Sequence, residues 1–310
     1  MPFLDVPSCR LTVFYAINPV ERIAFPVMPS SVNPADQDPD VRCAPYDPSK
    51  PTLVFIHANC RSVAAFDAQL LDIRLRSRFN VLAFARRFHG RTRFSGDWEK
   101  PHDLNEAAAE SIAALDALCF AFQIPRYSVF AEGIAGCHVV SLVLASPGEL
   151  SIPNTTVAIG LRTILDDLCQ NKDGKGDGSG TIPQRALDDN AEYCFGYGTG
   201  HSSIELRQLF LAEANRMPIP AEERAKVTCP VLLLHGTRDT LVSPLSAAEE
   251  WQRGFVNAKG GADLKSITDG PHLLSFIDAN VVNRILLAFT SQTLSQESLD
   301  DHIRRTNVVR

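Results

Sequence analysis

Two polar residues in the last third of the chain have the chemistry to share a proton. Asp239 ends the run Val231-Leu-Leu-Leu-His-Gly-Thr-Arg-Asp239, directly after an apolar segment that reads as a strand. His272 sits in Asp269-Gly-Pro-His-Leu-Leu-Ser-Phe276, a loop that leads into a helix. A loop histidine oriented by a strand-end carboxylate is held in one tautomer and stabilised when protonated, as a general base requires. A solvated loop histidine with no partner is the structural alternative. The segment Ser128-Val-Phe-Ala-Glu-Gly-Ile-Ala-Gly136 runs from an apolar strand into an Ala-rich helix. In such a strand-turn-helix the apex takes positive φ and projects its side chain from the top of the sheet. Here the apex is Gly133, which offers no atom for nucleophilic attack. Glu132 precedes it, in a place that suits packing beside the turn better than catalysis. Moving the apex onto Glu132 would put Phe130 where a small residue must sit.

Other reactive residue types have plainer readings. His57-Ala-Asn-Cys60 follows the strand Thr52–Ile56, and His201 lies in Gly198-Thr-Gly-His-Ser202; His57, Cys60 and His201 are candidates to line a pocket. Cys60 and Cys137 fit buried structural thiols better than nucleophiles. Ser62 fits a helix cap. His89, His138 and His235 fit loop, helix and strand-end positions. Asp173-Gly-Lys-Gly-Asp-Gly-Ser-Gly180 has the look of a calcium loop, but Lys175 and Gln184 fall where ligands are needed. The eight cysteines are scattered, without a C-x-x-C pair or a histidine at zinc-ligand spacing. Reduced thiols, no metal and no cofactor are expected.

These residues need elements to position them. Strands are predicted at Phe3–Val6, Leu11–Ala16, Thr52–Ile56, Asn80–Phe84, Ser128–Ala131, Thr156–Ile159, Val231–Leu234 and Leu264–Ile267, and helices over 65–76, 103–122, 135–146, 245–255 and 278–291. Asp103-Leu-Asn-Glu106 matches a capping box, and apolar residues at 281, 282, 285, 286 and 289 form a helical stripe. The region Pro26–Pro51, with seven prolines, reads as loop. Apolar strands alternating with amphipathic helices imply an α/β fold with a mostly parallel central sheet flanked by helices. Residues 161–226 break the alternation and read as an inserted lid.

The order of landmarks, Gly133 then Asp239 then His272, resembles the α/β-hydrolases, which place nucleophile, acid and histidine in that sequence. His57-Ala58 is similar to the family's His-Gly, with Ala58 a departure, and Ala85-Arg-Arg-Phe-His-Gly-Arg-Thr92 is similar to its Asp-x-Arg-Gly-x-Gly-x-Ser loop, from which Phe88 and Arg91 depart. The resemblance implies an α/β-hydrolase core over 1–160 and 227–295, a lid over 161–226 and a tail over 296–310. It also implies an oxyanion hole from the backbone N–H groups of Asn59 and Ile134, with Gly133 at the nucleophile position.

With a net charge of −6, 45% hydrophobic and 21% charged residues, a small-molecule substrate is expected, and neither nucleic acid nor membrane. A cytoplasmic location is expected; the oligomeric state is open. The function expected is His272–Asp239 general-base catalysis without a serine acyl-enzyme, on a small, largely apolar carbonyl or ester metabolite. Direct water activation and lyase chemistry both fit. The alternatives are a pseudo-hydrolase that only binds a ligand, and an engineered hydrolase whose nucleophile was replaced by glycine.

Overall fold

In β3 (Thr52–Ile56), β4 (Asn80–Phe84), β6 (Tyr127–Ala131) and β8 (Val231–Gly236) every residue is buried, so each strand is covered on both faces. The computed structural model describes residues 3–23, 41–58, 61–97, 104–133, 135–145, 155–157, 219–239, 244–271 and 274–291. Among them, β1 (Phe3–Val6), β2 (Leu11–Ile17), β5 (Arg93–Phe94), β7 (Thr155–Val157) and β9 (Ala262–Ile267) complete a nine-stranded sheet in the order β1-β2-β4-β3-β6-β7-β8-β9, with β5 alongside β2. Registers such as Ile56↔Phe84 and Ile56↔Ala131 bring β3, β4 and β6 to a common end.

The sheet is mixed, which corrects the mostly parallel sheet expected from the alternation of elements. From β4 through β9 the pairings are parallel, but β1–β2, β2–β4 and β2–β5 are antiparallel. For β1 and β2 the reason is local. A 3-10 turn at Pro7–Cys9, closed by Arg10 at φ 56°, joins β1 to β2, and so short a link permits only a hairpin.

Period-two alternation divides the core between the two faces. Val54, Ile56, Leu82, Phe84, Val129 and Ala131 pack with Leu115 and Leu118 of α3 (Leu104–Phe122) and Val139 of α4 (Ala135–Ala145). Their strand neighbours Leu53, Phe55, Val81, Ala83 and Phe130 face the other way. They meet Phe66 of the 3-10 turn Val63–Phe66, then Leu70 and Leu75, and Val282 and Leu286 of the helix over 279–291. The predicted helix over 65–76 is two helices, α1 (Asp67–Leu70) and α2 (Ile73–Arg78). Asp72 breaks it, because its carboxylate accepts the N–H groups of Arg74 and Leu75 and starts α2 afresh. The capping residue expected for α3, Asp103, lies outside the described residues, as does the expected lid up to residue 218. From 219 onward come α5 (Ala221–Arg224), α6 (Leu245–Gly254), α7 (Leu274–Ile277) and α8 (279–291).

Among the described residues no helix is long and apolar enough to cross a membrane, and Cys9, Cys43 and Cys119 are free thiols. Because β3, β4, β6 and β8 run in parallel, residues 57, 85, 132 and 237 all emerge at one edge, where ligands of such sheets bind.

Candidate active site

At the end of β6 the chain reverses within three residues. Glu132 N–H donates to the Ile56 carbonyl at 3.0 Å, keeping it in register with β3. Gly133 then takes φ 60°, and the N–H groups of Ala135 and Gly136 donate back to the carbonyls of Glu132 (3.3 Å) and Gly133 (3.0 Å) as α4 begins. An L-residue in that left-handed conformation costs on the order of 1–2 kcal/mol, whereas glycine adopts it freely.

The Glu132 side chain is buried and accepts a hydrogen bond from Ser275 Oγ at 2.6 Å. Ser275, fully buried in α7, offers its carbonyl to Gln69 Nε2 of α1 at 2.8 Å. One short chain of hydrogen bonds thereby joins the turn at Gly133, the helix that follows the His272 loop, and α1.

At the end of β3, His57 is fully buried, and its ring fixes its own tautomer. Nε2 accepts the Arg86 backbone N–H at 3.2 Å, so the proton is on Nδ1, which donates to the Ala58 carbonyl at 2.8 Å. Burial, reinforced by the nearby Arg86 and Arg61 charges, pushes the His57 imidazole down to about 3, so it is neutral at physiological pH. Its ring lies 4.8 Å from that of buried His89, whose Nδ1 contacts the Arg87 carbonyl at 2.7 Å. Arg87 in turn pairs with Glu110 of α3 at 2.8 Å and stacks on Phe94 at 3.5 Å. Thr92 Oγ1 donates to the Ala85 carbonyl and accepts from Phe14 N–H, closing this loop onto β2.

At the end of β8, Asp239 is buried and its N–H donates to the Gly236 carbonyl at 2.9 Å. The residues leading to it are laced to the segment after β9. Thr237 N–H donates to Ile267 O (3.0 Å), Arg238 N–H to Gly270 O (2.9 Å), and Asp269 N–H to Thr237 Oγ1 (2.9 Å). A Cβ on Gly236 would lie 2.3 Å from the Gly270 carbonyl oxygen and 2.5 Å from that of Pro271. Only glycine permits this approach.

Neither a family model nor a curated protein sequence matches the chain. Solved structures do. A bromoperoxidase from Bacillus anthracis superposes with a TM-score of 0.64 at 14% identity, over 93% of this chain and 99% of that one. An enol-lactonase from Burkholderia xenovorans gives 0.63 at 14%, over 94% and 100%. A hydrolase from Pseudomonas aeruginosa gives 0.60 at 19%, over 93% and 97%. The fold is the α/β-hydrolase fold.

Within this α/β-hydrolase fold, His57, Glu132, Gly133 and Asp239 gather at the carboxyl edge of the sheet. Asn59, Cys60, Ile134, His201 and His272 lie outside the described residues. Cys137 is half-buried in the first turn of α4, and His138 is buried with Nδ1 3.0 Å from Ser111 Oγ of α3, a helix-to-helix contact. Ser62 occupies the cap position before Val63–Phe66 without a side-chain capping bond. Sequence reasoning passed over Ser275 and Gln69, which are 206 residues apart and carry no local signal of their pairing. It also passed over Arg61, whose guanidinium lies above the Phe276 ring.

Proposed function

We propose that the chain is an α/β-hydrolase-fold enzyme acting on a small, largely apolar carbonyl or ester metabolite, with His272 and Asp239 as a general-base pair and no serine acyl-enzyme. The observation that carries this reading is the positive-φ turn at Gly133, at the same edge as a buried strand-end Asp239. Gly133 occupies the nucleophile position in this reading, so covalent attack on a carbonyl has no atom to begin from. The lacing of 237–238 to 267–270 supports pairing of Asp239 with His272, because it fixes the backbone just before both residues. Neutral His272 accepts a proton from water or from a substrate carbon, and Asp239 stabilises the imidazolium that results. Backbone N–H groups of Asn59 and Ile134 receive the developing oxyanion, a contribution of several kcal/mol that does not depend on a serine side chain. In this reading the lid that excludes water is the part of the inserted segment 161–226 that precedes residue 219, since the described end packs on the core, with Ile219 against the cluster of Val231, Leu233 and Phe255. That an enol-lactonase is among the solved structures of this fold makes lactones and esters the first substrates to try.

The test is turnover of a panel of lactones, activated esters and enolisable ketones by the wild type and His272→Ala. Loss of about 10²- to 10⁴-fold is expected, the usual worth of a positioned general base, and unchanged turnover removes the pair from the mechanism. A complementary variant, Gly133→Ser, is expected to gain slow esterase activity on p-nitrophenyl acetate. Mass spectrometry should then find an acetylated serine-containing peptide, and its absence counts against the alignment of pair, oxyanion hole and turn. The missing side chain at Gly133 also favours a second reading, a pseudo-hydrolase that binds a small ligand without converting it. Saturable binding with no product across the panel selects that reading.

A further inference from the structure

The mechanism above leaves Arg61 unused. It is half-buried at the carboxyl edge of the sheet, and its guanidinium carbon stands 5.9 Å from the centroid of the Phe276 ring. Phe276 and its neighbour Ile277, on α7 just beyond the His272 loop, are each 59% exposed. Other arginines of the described residues show what a structural role looks like: Arg87 holds Glu110 between aromatic rings, Arg74 holds Asp72, and Arg224 holds Glu250 beside Trp251. Arg61 has no such carboxylate among the described residues, and the buried Glu132 carboxylate of this edge accepts from Ser275 instead. The Arg61 charge nonetheless reaches the buried His57 ring. A forked cation beside an exposed aromatic and an aliphatic side chain is complementary to an organic anion with an apolar body.

We propose that Arg61 and Phe276 form a recognition site for a small organic carboxylate, whose carboxylate sits on the guanidinium and whose aryl or alkyl body lies against Phe276 and Ile277. The inference rests on the reading of this edge as the active site and narrows its substrate to an ester or carbonyl compound that carries a distal carboxylate. Two forces divide the work. The guanidinium fork discriminates charge and planarity, and the exposed apolar surface supplies affinity that is indifferent to charge.

The test needs no turnover. 3-Phenylpropionate and its neutral isostere 3-phenylpropionamide are titrated into the full-length protein at low ionic strength, with binding followed by calorimetry and NMR. The carboxylate is expected to bind about tenfold more tightly than the amide, equivalent to roughly 1.4 kcal/mol. Arg61→Gln should abolish that preference while leaving amide affinity unchanged, and Phe276→Ala should weaken both ligands together. Arg238→Gln removes the same charge from an exposed residue of the same edge and should leave the preference intact. The preference should also survive His272→Ala, so failure of the general-base reading is distinguishable from failure of this one. Equal affinities in the wild type, a preference that persists in Arg61→Gln, an equal loss in Arg238→Gln, or no saturable binding of either ligand overturns the proposal.

Discussion

Histidine is the residue most readily assigned a catalytic role, and His57 shows why its surroundings decide. Both ring nitrogens are committed to backbone groups, and the imidazole has no access to water. The consequence is a stability effect. An unfolded histidine takes up a proton near pH 6.5, whereas the folded His57 does so only near pH 3. Between those values the unfolded chain holds more protons, so stability is complete above about pH 6.5 and falls as the pH drops toward 3, by roughly 1 kcal/mol per pH unit. Urea unfolding at pH 7 and pH 4.5 measures this, with His57→Asn expected to lose that part of the slope. A slope identical in the variant would mean that the ring is reached by solvent. The sequence marked His57 as a pocket candidate because a histidine after a buried strand has that appearance. Its true bonding partner, the Arg86 amide, lies in the loop just beyond β4 and carries no side-chain signal.

At the scale of elements, the site is assembled by links between loops that are remote in sequence. The Ser275–Glu132 hydrogen bond spans 143 residues and ties α7 to the turn after β6. Ser275→Ala leaves a buried carboxylate short of a donor and is expected to cost about 1–3 kcal/mol, measured as a shift of the denaturation midpoint, with Ser275→Thr retaining part of it. No change in midpoint would show that Glu132 is satisfied without Ser275. Of these elements the sequence disclosed the strand-turn-helix at Gly133, because positive φ, small neighbours and an apolar strand are all local properties. The division of the 65–76 segment was hidden, since Asp72 acts as a cap only where the chain happens to restart, and Asn283 from α8 also donates to its carboxylate.

Across the whole molecule, the alternation of buried strands with helices was legible because each central strand is apolar on both faces. The antiparallel end of the sheet was not. Strand direction is set by connection length and pairing, and the hairpin at Pro7–Cys9 looks like any polar turn until its partner strands are known. The central packing unit is Phe55, fully buried, with Phe66 at 5.2 Å and Phe130 at 5.7 Å. Phe55→Ala is expected to cost about 3–5 kcal/mol, read as a lowered urea midpoint with an unchanged denaturant slope. A loss under 1 kcal/mol would mean that the three rings do not form one core.

Gly236 carries one more implication, for anyone who would re-engineer this scaffold. Its bare α-carbon lets two chain segments touch backbone to backbone, so the stretch ending at Asp239 and the stretch ending at Pro271 behave as a single mechanical part. Combinatorial libraries that diversify one stretch with the other held constant will sample mostly broken hinges, and productive variants must be sought by changing both together.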